Sequence, residues 1–146
     1  ESLTWPLKAL ERIVKPEQFV EELLLILDQF DTEYTRNPGP KVQLLDELVK
    51  YPSEVVRIAV LPFLEDASEP VRFAAVGTVV AMDQADVVIS LVQAFLGEES
   101  LRVRNRILSS LADKGWPIAD EQRASLGPVL PLEFELSNGV VRRRSA

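Results

Sequence analysis

Adjacent acidic pairs such as Glu21-Glu22, Asp46-Glu47 and Glu98-Glu99 are residues of this chain whose type could support acid–base or metal chemistry. Sequence neighbours on a helix point in different directions, so such pairs do not converge on one ion or one substrate atom. Solvated helix faces and helix-end charges account for them. Ser109, Ser110 and Lys114 have no base or oxyanion motif around them. The 146 residues contain no histidine and no cysteine. That removes Ser-His and Cys-His nucleophiles, an imidazole base titrating near neutrality, and zinc held by either residue. The six glycines are scattered singly, so no loop is built to cradle phosphate. The chain is therefore expected to be no enzyme, with no catalytic residue, no metal and no cofactor.

Charge narrows the partners. With 16 basic and 23 acidic residues the formal net charge is −7, a field that repels phosphate backbones, so no nucleic acid is expected. No apolar run approaches the roughly 20 residues of a membrane span. The longest, from Leu23 to Leu27, is flanked by Glu21, Glu22 and Asp28. The lack of cysteine fits a reducing compartment, and a cytoplasmic location is expected. The chain opens on Glu1, as a trimmed or excised segment would.

The elements that position these residues read as helices. Periodicity and stop signals predict them over 3–14, 16–34, 41–51, 53–65, 68–82, 84–96, 100–114 and 119–126. The second carries Phe19, Leu23, Ile26, Leu27 and Phe30 at 3–4 spacing, one apolar stripe. Asn37-Pro-Gly-Pro40 breaks the chain after it. Ser53, Ser68 and Ser100 stand as N-caps, and Gly97 and Gly115 as left-handed C-caps. Links this short make neighbouring helices antiparallel. Trp5 and Trp116 are expected to close the two ends of the helical array. Past Trp116 the pattern changes, and Asn138-Gly139 predicts a hairpin over 133–144. Its register sets Leu136 opposite Val141, Glu135 opposite Arg142 and Glu133 opposite Arg144.

Residues 54–82 and 86–114 are copies at a spacing of 32, identical at about eight positions, including Val56/Val88, Phe63/Phe95, Val71/Val103 and Arg72/Arg104. A period in this range marks stacked units, none of which buries its own apolar face. Within them, Pro62, Asp66, Val71-Arg72 and Ala75 make a segment that resembles a HEAT repeat. In that family helix A holds a mid-helix proline, the turn an acid, and helix B opens on Val-Arg followed by a small residue. The third unit keeps Glu98-Glu99 and Val103-Arg104 but has Ala94 for the proline and Ile107 for the small residue. The first departs most, with extra residues in its turn and Lys41 or Val42 in place of the arginine.

The resemblance implies an all-α fold: a short right-handed α-solenoid of about three HEAT-like helical hairpins plus an N-terminal helix. The array spans 1–116, with repeats at about 16–51, 53–82 and 84–115, and 117–146 forms a C-terminal extension holding the hairpin. It also implies structural roles for Arg72 and Arg104, each reaching a turn acid such as Asp66 or Glu98, and for Pro62 in bending helix A. On the concave face it places Phe73, Gly77 and Val80 of the second repeat, Asn105 and Ser109 of the third, and Gln43 and Glu47 of the first. Phe73 beside Gly77 is what an anchor pocket for a partner side chain needs, unless the tail covers the ring or Phe73 is core.

The expected function is thus a non-enzymatic scaffold or adaptor module that binds an unidentified protein or peptide on its concave face. The alternatives are an oligomerising segment of a larger protein, docking through its basic hairpin, and a bilin-type small-molecule binder with a roomy apolar groove. Oligomeric state and partner identity are not written in the residues.

Overall fold

The computed structural model describes residues 4–13 and 15–145. Among these residues eight α-helices are followed by a two-stranded antiparallel sheet, and the chain divides into two compact units, 1–83 and 84–146. The third helical pair shares its compact unit with residues 117–146. Among the described residues no helix is long and apolar enough to cross a membrane.

The first unit holds α1 (Thr4–Ile13), α2 (Pro16–Asp28), α3 (Gly39–Leu48), α4 (Glu54–Val60) and α5 (Glu69–Ala81). Helix α3 packs on α5, and α2 packs on α1, α3 and α4. The apolar stripe of α2 supplies Phe19, Leu23 and Leu27 to a core completed by Leu44, Leu45 and Leu48 of α3 and Val71, Ala75 and Val79 of α5. Each large aliphatic side chain buried this way contributes about 1.5–3 kcal/mol. Thr78, fully buried, ties α5 to α3 by donating its Oγ1 hydrogen to the Leu45 carbonyl at 2.7 Å. At Leu61 helix α4 tightens into a 3-10 turn, Leu61–Glu65. Pro62 sits at its start, where its missing N–H and its ring no longer suit an α-helix. The side chain of Trp5 and the helix ends expected at residues 3 and 14 lie outside the described residues.

Helix α2 stops six residues short of the expected end at 34. The N–H groups of Gln29 and Phe30 bond back three residues, and Asp31 Oδ1 then accepts from the Glu33 N–H at 3.0 Å. The freed Thr32 carbonyl accepts from the Ala67 N–H at 2.8 Å, so this stretch braces the turn of the next helical pair. An aspartate that offers the backbone a local turn competes with helix, which periodicity alone does not register.

The second unit holds α6 (Val88–Gly97), α7 (Leu101–Lys114), α8 (Asp120–Leu126), β1 (Phe134–Ser137) and β2 (Val140–Arg143). Helix α6 packs on α7 and α8, and α7 packs on β2. Ser53 and Ser100 cap their helices, accepting from Val56 N–H at 3.2 Å and Val103 N–H at 3.3 Å. Ser68 holds the N-cap position without a side-chain cap bond; its carbonyl accepts from the Val71 and Arg72 N–H groups, and its own N–H donates to Asp66 Oδ1. Gly115 is the left-handed C-cap expected of it, at φ 65°, whereas Gly97 is the last residue inside α6 and Glu98, in extended conformation, ends the helix. The hairpin register is Glu135 opposite Arg142 and Leu136 opposite Val141, with Arg144 N–H donating to the Glu133 carbonyl. Asn138 and Gly139 both take positive φ, as a two-residue turn requires.

Candidate functional site

Two faces of the first unit are built from its paired helices. On the α3/α5 side, Gln43, Glu47, Phe73, Gly77 and Val80 are all half-buried. The structure separates them. Gln43 and Glu47 line a hollow of about 350 Å³ between α1 and α3, together with Leu7, Lys8, Glu11 and Lys50. Phe73, Gly77 and Val80 lie on α5 outside that hollow. Asn105, exposed, and Ser109, half-buried, sit on α7 of the other unit.

The α1–α3 hollow is polar and internally bonded. Glu47 accepts from Lys50 Nζ at 3.0 Å, and that bond raises the Lys50 ammonium above its ordinary value. Beside it Tyr51 donates its hydroxyl hydrogen to Glu11 Oε2 at 3.0 Å and sets its ring edge-on to Phe19, 5.8 Å between centroids. Burial, then the Glu11 bond, pushes the Tyr51 phenol up to about 12. These contacts fasten α1 to the end of α3, which is a structural task.

The conserved-looking arginines of the two copies serve the same end. Arg72 donates to the Asp66 carbonyl at 3.0 Å and Arg104 to the Glu98 carbonyl at 3.0 Å, so each guanidinium reaches its turn through the backbone. Arg104 also lies over the Phe95 ring at 4.2 Å. The Asp66 carboxylate is engaged elsewhere, by Lys41 Nζ at 2.8 Å. Lys41, the residue standing where the first repeat lacks an arginine, thus fills that place from the preceding helical pair.

A second accessible apolar surface lies between α2 and α4, at positions the sequence reading did not single out. Leu25, Val55 and Ile58 are 59%, 63% and 61% exposed. They border two adjoining hollows of about 460 and 480 Å³ that share Leu24, Asp28 and Ala59. One end pairs Glu21 with Val55, and the other pairs Phe30 with Pro62, so α2 and α4 run side by side in the same sense. The sequence did carry a signal. Leu24 and Leu25 are surplus to the stripe that α2 needs for its core, and Val55 and Ile58 are likewise surplus beside Val56 and Val60.

Chemically, this groove offers aliphatic contact and a carboxylate rim. Among the described residues no three acidic side chains gather as a metal site would require. Comparison with family models, curated proteins and solved structures finds no match, so the geometry alone carries the functional reading.

Proposed function

We propose that this chain is a non-enzymatic protein-interaction module, a scaffold or adaptor built as a short right-handed α-solenoid of HEAT-like helical pairs and working in the cytoplasm. The observation that carries the reading is the α2/α4 groove, where three large aliphatic side chains stand about 60% exposed around two adjoining hollows. Lone exposed aliphatic residues need no explanation, but a contiguous patch with a polar rim marks a binding surface. The parallel run of α2 and α4, the packing of α3 on α5 and the 32-residue echo support the solenoid. The α5 face with Phe73, Gly77 and Val80 is the second surface such a module presents.

The oligomerising reading draws less support, because two of the hairpin's basic side chains are occupied within the chain. Arg143 pairs with Asp113 at 2.6 Å and Arg144 with Glu135 at 3.2 Å. Affinity capture from native extract with wild type, Ile58→Glu and Phe73→Glu tests the module. The expected result is loss of a specific set of partners in Ile58→Glu at an unchanged unfolding midpoint. Recovery of the same proteins by all three would remove the proposal.

A further inference from the structure

The net charge of the chain is confined to one unit. Residues 1–83 hold 15 acidic and 8 basic side chains, whereas residues 84–146 hold 8 of each, so the first unit carries the whole −7. The α2/α4 groove lies on that unit. Its floor is aliphatic, formed by Leu24, Leu25, Val55 and Ala59, and Glu21 and Asp28 stand at its rim. Both carboxylates are exposed, and among the described residues neither is held in an ion pair. Along α2, Glu21, Leu25 and Asp28 follow at i, i+4 and i+7, one side of the helix. Along α4 and the turn after it, Val55, Ile58/Ala59 and Pro62 repeat that spacing.

The geometry points to a specific occupant: a short amphipathic helix of cationic character, its aliphatic face on Leu25, Val55 and Ile58 and its flanking Lys or Arg side chains on Glu21 and Asp28. The assignment rests on the interaction-module reading and adds the partner's chemistry to it. Two turns of each groove helix span about 11 Å, so a partner helix of about three turns covers the hollow. Laying such a helix into an apolar groove uses i, i+3, i+4 and i+7 anchors, the spacing the groove itself displays. A second copy placed groove to groove does not suit the site, because it sets the same acidic rim against itself. A basic helix instead gains steering and orientation from the rim while its aliphatic side chains supply contact.

The test titrates the whole chain with three labelled model peptides that share a leucine face and carry Lys, Gln or Glu at the flanking positions, read by fluorescence anisotropy. The Lys peptide is expected to bind and to weaken as salt rises, since exposed charge pairs are screened. The Glu peptide is expected to show no binding. Glu21→Gln/Asp28→Asn should weaken the Lys peptide about five-fold, two exposed pairs at roughly 0.5 kcal/mol each. Glu22→Gln/Glu65→Gln makes the same change in net charge away from the groove and should leave affinity within about two-fold. Equal weakening by both doubles would show binding to the general acidic field and overturn the assignment. Equal affinity for the Lys and Gln peptides would overturn the cationic partner while leaving the groove in place. If Leu25→Ser/Ile58→Ser, folded by its unfolding midpoint, binds the Lys peptide as wild type does, the groove itself is not the site and the reading beneath falls too.

Discussion

Lys41 and Asp66 form a 2.8 Å ion pair in which the two side chains are 1% and 0% exposed. They stand 25 residues apart, Lys41 on α3 and Asp66 in the turn before α5. Lys41 Nζ also donates to the Glu33 carbonyl at 3.1 Å, and Asp66 Oδ1 accepts from the Ser68 N–H at 2.8 Å. A buried charge is tolerated when every remaining donor and acceptor is served, and this pair comes close to that. It joins the long turn of one helical pair to the short turn of the next.

Removing one member should therefore leave an uncompensated buried charge. Lys41→Met is expected to lower unfolding free energy by about 3–5 kcal/mol, measured by urea denaturation. Lys41→Met/Asp66→Asn should recover part of that loss, because the amide is neutral and keeps an oxygen for the Ser68 N–H. Additive losses in the cycle would show that the two side chains do not act as a unit.

The pair also shows where sequence reasoning reached and where it stopped. The helices, the copies at 32 residues and the hairpin register follow from period-3.6 and period-2 patterns and from Asn138-Gly139, all local signals. The sequence places Lys41 or Val42 where the later copies have arginine and gives neither a role; the partner of Lys41 lies in the next helical pair, and pairing between helical pairs is not written in spacing. Arg72 and Arg104 illustrate the converse: each donates to the main-chain carbonyl of Asp66 or Glu98, a group that every residue carries and no residue type announces. Leu25 and Ile58 were legible as apolar and illegible as exposed, since a stripe two residues too wide looks like a generous core. Gly97 shows the limit of composition, because a glycine at a helix end permits positive φ without requiring it.

Surface and core versions of the same chemistry should separate at the groove. Leu25, Val55 and Ile58 gain little by their present exposure, so replacing Ile58 with serine is expected to change unfolding free energy by no more than about 0.5 kcal/mol. Leu23→Ala, two residues before Leu25 but fully buried, should cost about 2–5 kcal/mol. Thermal and urea unfolding of the two variants side by side checks the contrast. A large loss in Ile58→Ser would mean the side chain is core and the groove is closed.

Alkaline titration should reveal the tie between α1 and α3. The Tyr51 phenol has an ordinary value of 10.0 and is pushed up to about 12 in the folded chain by burial and by its bond to Glu11. A group whose folded value is raised stabilises the fold fully below its unfolded value and loses that contribution as pH climbs through the folded value. Stability is therefore expected to fall between pH 10 and about 12. Lys50, raised by its bond to Glu47, acts with the same sign in that region. Tyr51→Phe should flatten the decline and Lys50→Met should flatten it further, followed by unfolding free energy against pH. In Tyr34→Phe, the remaining phenolate absorbance should develop near pH 12 in the folded protein and nearer 10 in denaturant.

The hairpin turn offers a test in which two causes can be pulled apart. Gly139 has φ 77°, and a Cβ there would run into the guanidinium of Arg123. Arg123 is itself fixed, donating from Nε to the Ile118 carbonyl at 2.6 Å and pairing with Asp120 at 2.8 Å. The Ile118 N–H in turn donates to the Gly139 carbonyl at 2.8 Å, so the turn and the segment before α8 hold each other in place. Gly139→Ala thus meets both backbone strain and a clash, and is expected to destabilise by more than the roughly 1–2 kcal/mol of left-handed strain alone. Adding Arg123→Ala removes the clash and leaves the strain, so the double variant should be more stable than additivity of the singles allows. Amide exchange at Val140 and Arg142, in the hydrogen-bonded pairs of the hairpin, reads it directly, and faster exchange there in Gly139→Ala than in Arg123→Ala is the expected order. If the cycle shows no coupling, the two residues do not touch in solution, and the turn is held by its backbone bonds alone.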